Sequence, residues 1–193
     1  MVSGSGTSGD PYILSTFAEL ELIGSDATYT LAKYYKLGAD IDASPTQDAG
    51  YNGGAGWLPR GNATTKFTGG FDGNNYTISG LYINRSTTNY VGLFGFINTS
   101  NIKNVTLTTS NIIGQDYVGS VIGGTIDINN ADNCNVSGTV TGRSYVGGII
   151  GYSYHGGDPK HFHTNHDFTG TVTSTTSYVG GIIGYGRCTS ISG

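Results

Sequence analysis

Tyr117-Val-Gly-Ser-Val-Ile-Gly, Tyr145-Val-Gly-Gly-Ile-Ile-Gly and Tyr178-Val-Gly-Gly-Ile-Ile-Gly are one seven-residue phrase, and Tyr90-Val-Gly-Leu-Phe-Gly is the same phrase one residue shorter. The four tyrosines are separated by 27, 28 and 33 residues. A second element recurs between them: Asn104-Val-Thr-Leu-Thr, Asn135-Val-Ser-Gly-Thr-Val-Thr and Asp167-Phe-Thr-Gly-Thr-Val-Thr. Each period therefore carries short β-prone runs with alternating apolar positions, punctuated by Gly or Asn, and no run suited to a long helix. Such a period supplies one turn of a β-solenoid, in which equivalent positions of successive coils stack about 4.8 Å apart and bury a continuous column. The leucine-rich repeat has a comparable period but demands Leu-x-x-Leu-x-Leu, which is absent. In the solenoid reading Tyr90, Tyr117, Tyr145 and Tyr178 form an aromatic ladder and Ile149 with Ile182 an aliphatic one. The glycines mark bends, or places where a side chain would strike the next coil.

Outward from the repeats the chain changes character. Thr16-x-x-Glu19 is a capping box that opens a short helix from Phe17 to about Gly24. Tyr34 to Asp42 reads as a strand, residues 43–70 as a loop around Trp57-Leu-Pro, and Phe71 to Ile83 as a tight turn leading into alternating β. Residues 1–90 are thus expected to form an N-terminal cap with the first coils, and residues 91–193 the repeats, in one continuous domain. After the last phrase no cap is visible, so the final coil is expected either to continue or to be covered by another chain.

Composition agrees and excludes several functions. Among 193 residues there are 33 Gly, 25 Thr, 18 Ser and 15 Asn, a turn-rich and β-rich alphabet. Nine Lys and Arg against thirteen Asp and Glu give a net charge of −4 and no basic stripe, so nucleic acid is not an expected partner. No apolar run is long enough to span a bilayer as a helix, and the opening residues do not have the form of a signal peptide. Membrane insertion is therefore not expected, and the hydroxyl-rich surface suits an extracellular or cell-surface setting. Cys134 and Cys188 stand in unlike surroundings and make neither a disulfide framework nor a Cys-based metal site; whether the two pair stays open.

The joint order of motifs resembles the GLUG-repeat proteins: Asp10-Pro-Tyr-Ile, a short helix, Tyr35 to Asp42, Trp57-Leu-Pro, Phe71-Asp-Gly-Asn-x-Tyr-Thr-Ile-Ser-Gly-Leu and then the Tyr-Val-Gly phrases. These are secreted or cell-surface bacterial and archaeal proteins, many of them adhesin-like. The resemblance covers nearly the whole chain. It implies an all-β, right-handed parallel β-helix with a short N-terminal helix in the capping region, and it carries over no catalytic residues. Two departures are Ser120 in place of the second Gly of a phrase, and an insertion in the third period.

That insertion holds every histidine of the chain: His155, His161, His163 and His166. With Asp158 or Asp167 they offer donors for a divalent ion such as zinc, nickel or copper, in a spacing that matches no standard signature; the plainer reading is a polar loop that protrudes from the solenoid. Otherwise no cofactor is expected. Asp40 and Asp42 lack the spacing of a calcium loop and suit turn capping. The repeats hold few carboxylates from which to build a glycosidase pair. Tyr51, Trp57, Tyr152 and Tyr154 fall out of phase or in loops, and exposed aromatics beside Asn and Thr are what a sugar-binding surface uses. The pairs Thr106/Thr108, Thr139/Thr141 and Thr171/Thr173 are expected to stack in successive coils. The function expected from all this is a non-enzymatic extracellular adhesion or binding module for a glycan or a surface protein. Two alternatives stand beside it: a structural subunit that self-associates through an uncapped solenoid end, and a glycan-active enzyme.

Overall fold

The computed structural model describes residues 2–126, 130–154 and 162–187. The first rung is β1 (Tyr12–Leu14), followed by the helix α1 (Phe17–Leu20). β2 (Tyr34–Leu37) and β3 (Ile41–Asp42) form the second coil, and β4 (Gly70–Asp72), β5 (Thr77–Ser79) and β6 (Tyr82–Asn84) the third. The coils then become regular: β7 (Phe94–Asn98), β8 (Asn101–Lys103), β9 (Thr106–Ile113) and β10 (Asp116–Val118); β11 (Ile122–Ile126), β12 (Asn130–Asp132) and β13 (Asn135–Gly147); β14 (Ile150–Tyr154), β15 (Phe162–Thr164), β16 (Asp167–Gly180) and β17 (Ile183–Arg187). Three sheets result. Sheet A runs β1-β2-β4-β8-β12-β15, sheet B has β3-β5-β9-β13 with β6 on β9 and both β10 and β16 on β13, and sheet C runs β7-β11-β14-β17. Every named strand pair is parallel, which defines a β-solenoid.

Strand register converts the sequence repeat into columns. Phe94, Ile122, Ile150 and Ile183 align across sheet C. Leu107, Val136 and Phe168 align in sheet B, and Val91, Val118, Val146 and Val179 align at the corner where sheet B turns into sheet C. Within these columns Val91, Ile122, Ile150 and Val118 are completely buried, each contributing about 1.5–3 kcal/mol relative to exposure. One apolar cluster runs from Val2 to Ile150 and passes across residue 90 without a break. Before β7, where sheet C has no strand, residues 57–67 take its place: Arg60 bridges to Phe94 and Phe67 to Ile97, with Trp57 and Phe67 filling the interior.

The N-terminal end is closed as a helix-bearing cap. Thr16 Oγ1 accepts from the Glu19 N–H at 3.2 Å, and Glu19 Oε2 in turn accepts from the Ser15 N–H at 2.7 Å. The helix is shorter than the sequence suggests, because the chain turns after Leu20 and reaches Gly24 at φ 75°. Leu14, Leu20 and Ile23 are fully buried under it. The run from Tyr34 to Asp42 is two strands on different sheets rather than one. The break lies at residues 38–40, and Asp40 and Asp42 fix it by accepting backbone N–H bonds from Thr77 and Ser44.

Two corners of each regular coil are made by residues in the left-handed region. Between sheets A and B these are Asn104, Asn133 and Asn165, at φ 51–55°. Between sheets B and C they are Tyr90, Tyr117, Tyr145 and Tyr178, at φ 57–61°. Asn tolerates this backbone because its short amide bonds locally. Here the amides bond along the stack, Asn133 Nδ2 to Asn104 Oδ1 at 3.0 Å and Asn104 Nδ2 to Asp72 Oδ1 at 2.9 Å. This Asn column corrects the alignment read from sequence: Asn135 faces Thr106, not Asn104. Consequently Thr139 and Thr141 stack on Thr171 and Thr173, whereas Thr106 and Thr108 belong to a different row.

Candidate functional site

A tyrosine in the left-handed region is unusual, and the repeat phrase shows why four of them occur. At this corner the chain bends sharply, and the glycines of the phrase bring the backbones of neighbouring coils close together. A Cβ on Gly119 would lie 2.6 Å from the Gly151 nitrogen, and a Cβ on Gly151 would lie 2.6 Å from the Gly123 oxygen. With the backbone in that bend, the tyrosine side chain is thrown to the outside, where it stacks on its counterparts in the coils above and below. Ring centroids are 4.6 Å apart for Tyr90–Tyr117, 4.8 Å for Tyr117–Tyr145 and 4.8 Å for Tyr145–Tyr178. Interplanar angles of 6–17° make these face-to-face stacks.

A second aromatic column meets the first at a right angle. On the outer face of sheet C, Phe96, Gly124, Tyr152 and Tyr185 occupy one register position. Tyr152 and Tyr185 stack at 5.6 Å, and their edges contact Tyr117, Tyr145 and Tyr178 at interplanar angles of 74–90°. Two positions further along the strands, Asn98, Ile126, Tyr154 and Arg187 align, with the Arg187 guanidinium 5.9 Å over the Tyr154 ring. Burial among these rings raises the phenol pKa values of Tyr90 and Tyr152 above the ordinary value, with neighbouring phenols adding to the shift. These two phenols therefore stay un-ionised through the ordinary pH range. Stacking covers both faces of the inner rings, so they present edges and hydroxyls outward. Tyr178, the last ring of the column among the described residues, is 51% exposed.

The residues singled out in the sequence divide between two regions. Tyr152 and Tyr154 belong to this aromatic face, and Tyr152 is in phase, contrary to expectation. The signal was one residue beyond the quoted phrase, in Gly95-Phe96, Gly151-Tyr152 and Gly184-Tyr185. Tyr51 and Trp57 lie instead in the N-terminal coils. Trp57 is corrected from a surface aromatic to a core residue, with no exposed area. Its Nε1 donates to the Leu93 oxygen at 3.0 Å, and the Arg60 guanidinium covers the ring at 4.2 Å. Tyr51 is half-buried and donates its hydroxyl to Glu21 at 2.8 Å; burial, with that bond second, raises its phenol pKa.

The histidines also separate. His155, Asp158 and His161 lie outside the described residues, as does Cys188. His163 and His166 are not on a protruding loop: His163 stands on β15 in the column of Ile102 and Ala131, and its Nε2 lies 2.8 Å from the Ser153 hydroxyl. His166 Nδ1 accepts from the Cys134 N–H at 3.3 Å, and burial lowers its pKa below the ordinary 6.5. Their ring centroids are 6.2 Å apart, and among the described residues no three His, Cys, Asp or Glu side chains gather as a metal site. Cys134 is a buried free thiol in the next column.

No family model matches the chain. It is 42% identical over 156 residues to halomucin of Haloquadratum walsbyi, covering 77% of this chain and 2% of that protein. It is 31% identical over 182 residues to a protein of Evansella cellulosilytica named as a Gly-rich membrane protein, covering 77% of this chain and 20% of that one. The chain therefore spans a small part of the length of these relatives. Among solved structures it is similar to a Bacteroides ovatus chain named as an immunoglobulin A1 protease, with a TM-score of 0.67 at 20% identity, over 97% of this chain and 65% of the other. That likeness is one of fold. The chain is an all-β, parallel β-solenoid related in sequence to much longer archaeal and bacterial proteins.

Proposed function

We propose that this chain is an extracellular binding module, a rigid stretch of a surface-associated protein whose sheet C face engages a glycan or a surface protein without altering it chemically. The observation that carries the reading is the outward aromatic face, where Tyr152, Tyr154, Tyr185 and Arg187 project from β14 and β17 beside the tyrosine column. Aromatic rings with polar tips and a guanidinium are what recognition surfaces use, since they present area with little rotamer freedom to lose. The relatives support the setting: one is named halomucin and the other a Gly-rich membrane protein. Three carboxylates of the coils are engaged structurally, Asp72 with Asn104 and Lys103, Asp116 with Arg143, and Asp132 with Asn165, which favours binding over glycan cleavage. The test is a glycan and surface-protein array probed with the full chain and with the double variant Tyr152→Ala, Tyr154→Ala. Retention by a subset of ligands that the double variant loses supports the reading; retention that the variant keeps, or none at all, refutes it.

A second reading, self-association, is favoured by the outer edge of β16, which no other described strand covers. Tyr178 and Val179 are 51% and 56% exposed, and Phe168, Val172, Ile182 and Ile183 are only partly buried. From Phe168 to Gly186 no residue is charged or proline, so the edge of β16 lacks the usual protection against pairing. Light scattering distinguishes the two: concentration-dependent assembly supports self-association through this edge, and a monomer throughout leaves the binding module.

A further inference from the structure

We infer that the outer face of sheet A carries a second ligand site, built to hold one carboxylated sugar unit. It rests on the binding-module reading but not on the aromatic face of sheet C. A cleft of about 160 Å³ lies between the N-terminal segment at Ser8 and the strands β2, β4 and β8. Its floor is Gly70, where a Cβ would sit 2.6 Å from Cδ1 of Tyr34; the missing side chain lets the tyrosine ring settle against the sheet. Tyr34 is 37% exposed, and it is the one exposed large aromatic among the described residues outside the terminal coil. It belongs to neither aromatic column. Across Gly70 in the same row is Asn101, exposed, with an amide that both donates and accepts.

The row beside it is charged. Lys36, Asp72 and Lys103 occupy one register position on β2, β4 and β8. Lys103 Nζ pairs with Asp72 Oδ2 at 3.3 Å, whereas Lys36 has no carboxylate within ion-pairing distance among the described residues. Alternating charges of this kind also support strand pairing, and Asp132 continues the row beyond Lys103 on β12; among the residues that line the cleft itself, two ammonium groups against one carboxylate leave a local excess of one positive charge, on Lys36. That excess sits on a chain of net charge −4 with only nine basic residues. An exposed ring, an unpaired ammonium and an amide converging on a cleft well below drug-sized volume match one pyranose ring bearing one carboxylate. The ring lies on Tyr34, the carboxylate takes the Lys36 ammonium as a charge-assisted donor, and hydroxyls reach Asn101 and Asp72.

The experiment is a two-dimensional amide NMR titration of the full chain with a trimer of galacturonic acid and, separately, with a trimer of galactose. The expected result is movement of the Tyr34, Lys36, Gly70 and Asn101 amides, with the uronate binding about tenfold tighter than the neutral sugar. Lys36→Gln is expected to erase that preference and Tyr34→Ala to weaken both sugars; both residues face solvent, and unmoved amides elsewhere verify the fold. Equal response to the two sugars overturns the assignment of an anionic ligand. Absence of movement at these amides overturns the site. If the movement falls instead on Tyr152, Tyr154 and Tyr185, the sheet A site fails while the sheet C reading survives.

Discussion

Replacing Tyr117 separates the two forces that meet at the tyrosine corner. Its ring is stacked on Tyr90 at 4.6 Å and on Tyr145 at 4.8 Å, and it meets the edge of Tyr152 at 5.3 Å. Three aromatic contacts at roughly 0.5–1.5 kcal/mol each, taken toward the lower end because the ring is only partly buried, put the loss for Tyr117→Ala at about 2 kcal/mol. The backbone at Tyr117 has φ 60°, a conformation that costs any residue with a Cβ roughly 1–2 kcal/mol and glycine almost nothing. Glycine also loses about 0.5–1 kcal/mol more than alanine in chain entropy on folding. Tyr117→Gly is therefore expected to be more stable than Tyr117→Ala by about 0.5–1 kcal/mol, although glycine removes more atoms and ordinarily weakens a strand. Tyr117→Phe keeps the stacks and should stay close to the parent. Equilibrium denaturant unfolding of the four proteins, with slopes compared to verify the same transition, measures the order directly. If alanine proves equal to or better than glycine, the corner is not held in the left-handed region and the account of the repeat phrase is wrong.

Three further outcomes follow from the same geometry. Gly151→Ala should lower stability by roughly 3 kcal/mol, because the new methyl meets Val118 and Gly123 backbone, whereas Gly181→Ala, with nothing near its Cβ position, should stay within about 0.5 kcal/mol; thermal melts compare them. In a Cys188→Ser background, Cys134, whose thiol burial pushes up to about 12, should react with a disulfide reagent about a hundredfold more slowly in the native protein than in denaturant. His166 resists protonation when folded but not when unfolded, so its contribution to stability is complete above pH 6.5 and falls away as the pH drops through its lower folded value; His166→Gln should flatten the acid side of the stability profile between about pH 7.5 and 5.

Much of the solenoid was legible because a parallel stack writes its register into the sequence. The spacing of Tyr90, Tyr117, Tyr145 and Tyr178 placed one corner of each regular coil. What escaped has two physical origins. The Asn column was hidden because β9 carries an irregularity that β13 does not, so Asn104 and Asn135 look equivalent by local pattern while the hydrogen bonds place them two positions apart. Trp57 was misplaced because its surroundings, rich in glycine and polar residues, look like a surface loop; its indole is buried by Leu93 and Arg60, partners 36 and three residues away in sequence. The sheet A cleft was invisible for a related reason. Tyr34, Gly70 and Asn101 are widely spaced along the chain and become neighbours only through the pairing of three strands.

The corner between sheets C and A admits very different lengths of chain. Two residues join β7 to β8, three join β11 to β12 and seven join β14 to β15, yet the rungs on either side remain paired position for position. Hydrogen bonds in a parallel ladder count strand residues and ignore contour length between strands, so this corner is open to insertion without a penalty in alignment. A lineage carrying such a stack can diversify what it displays by editing one corner, coil by coil, while the scaffold beneath is inherited unchanged. The same property makes the molecule a ready host for grafted peptides, spaced along an axis at the fixed interval of the rungs.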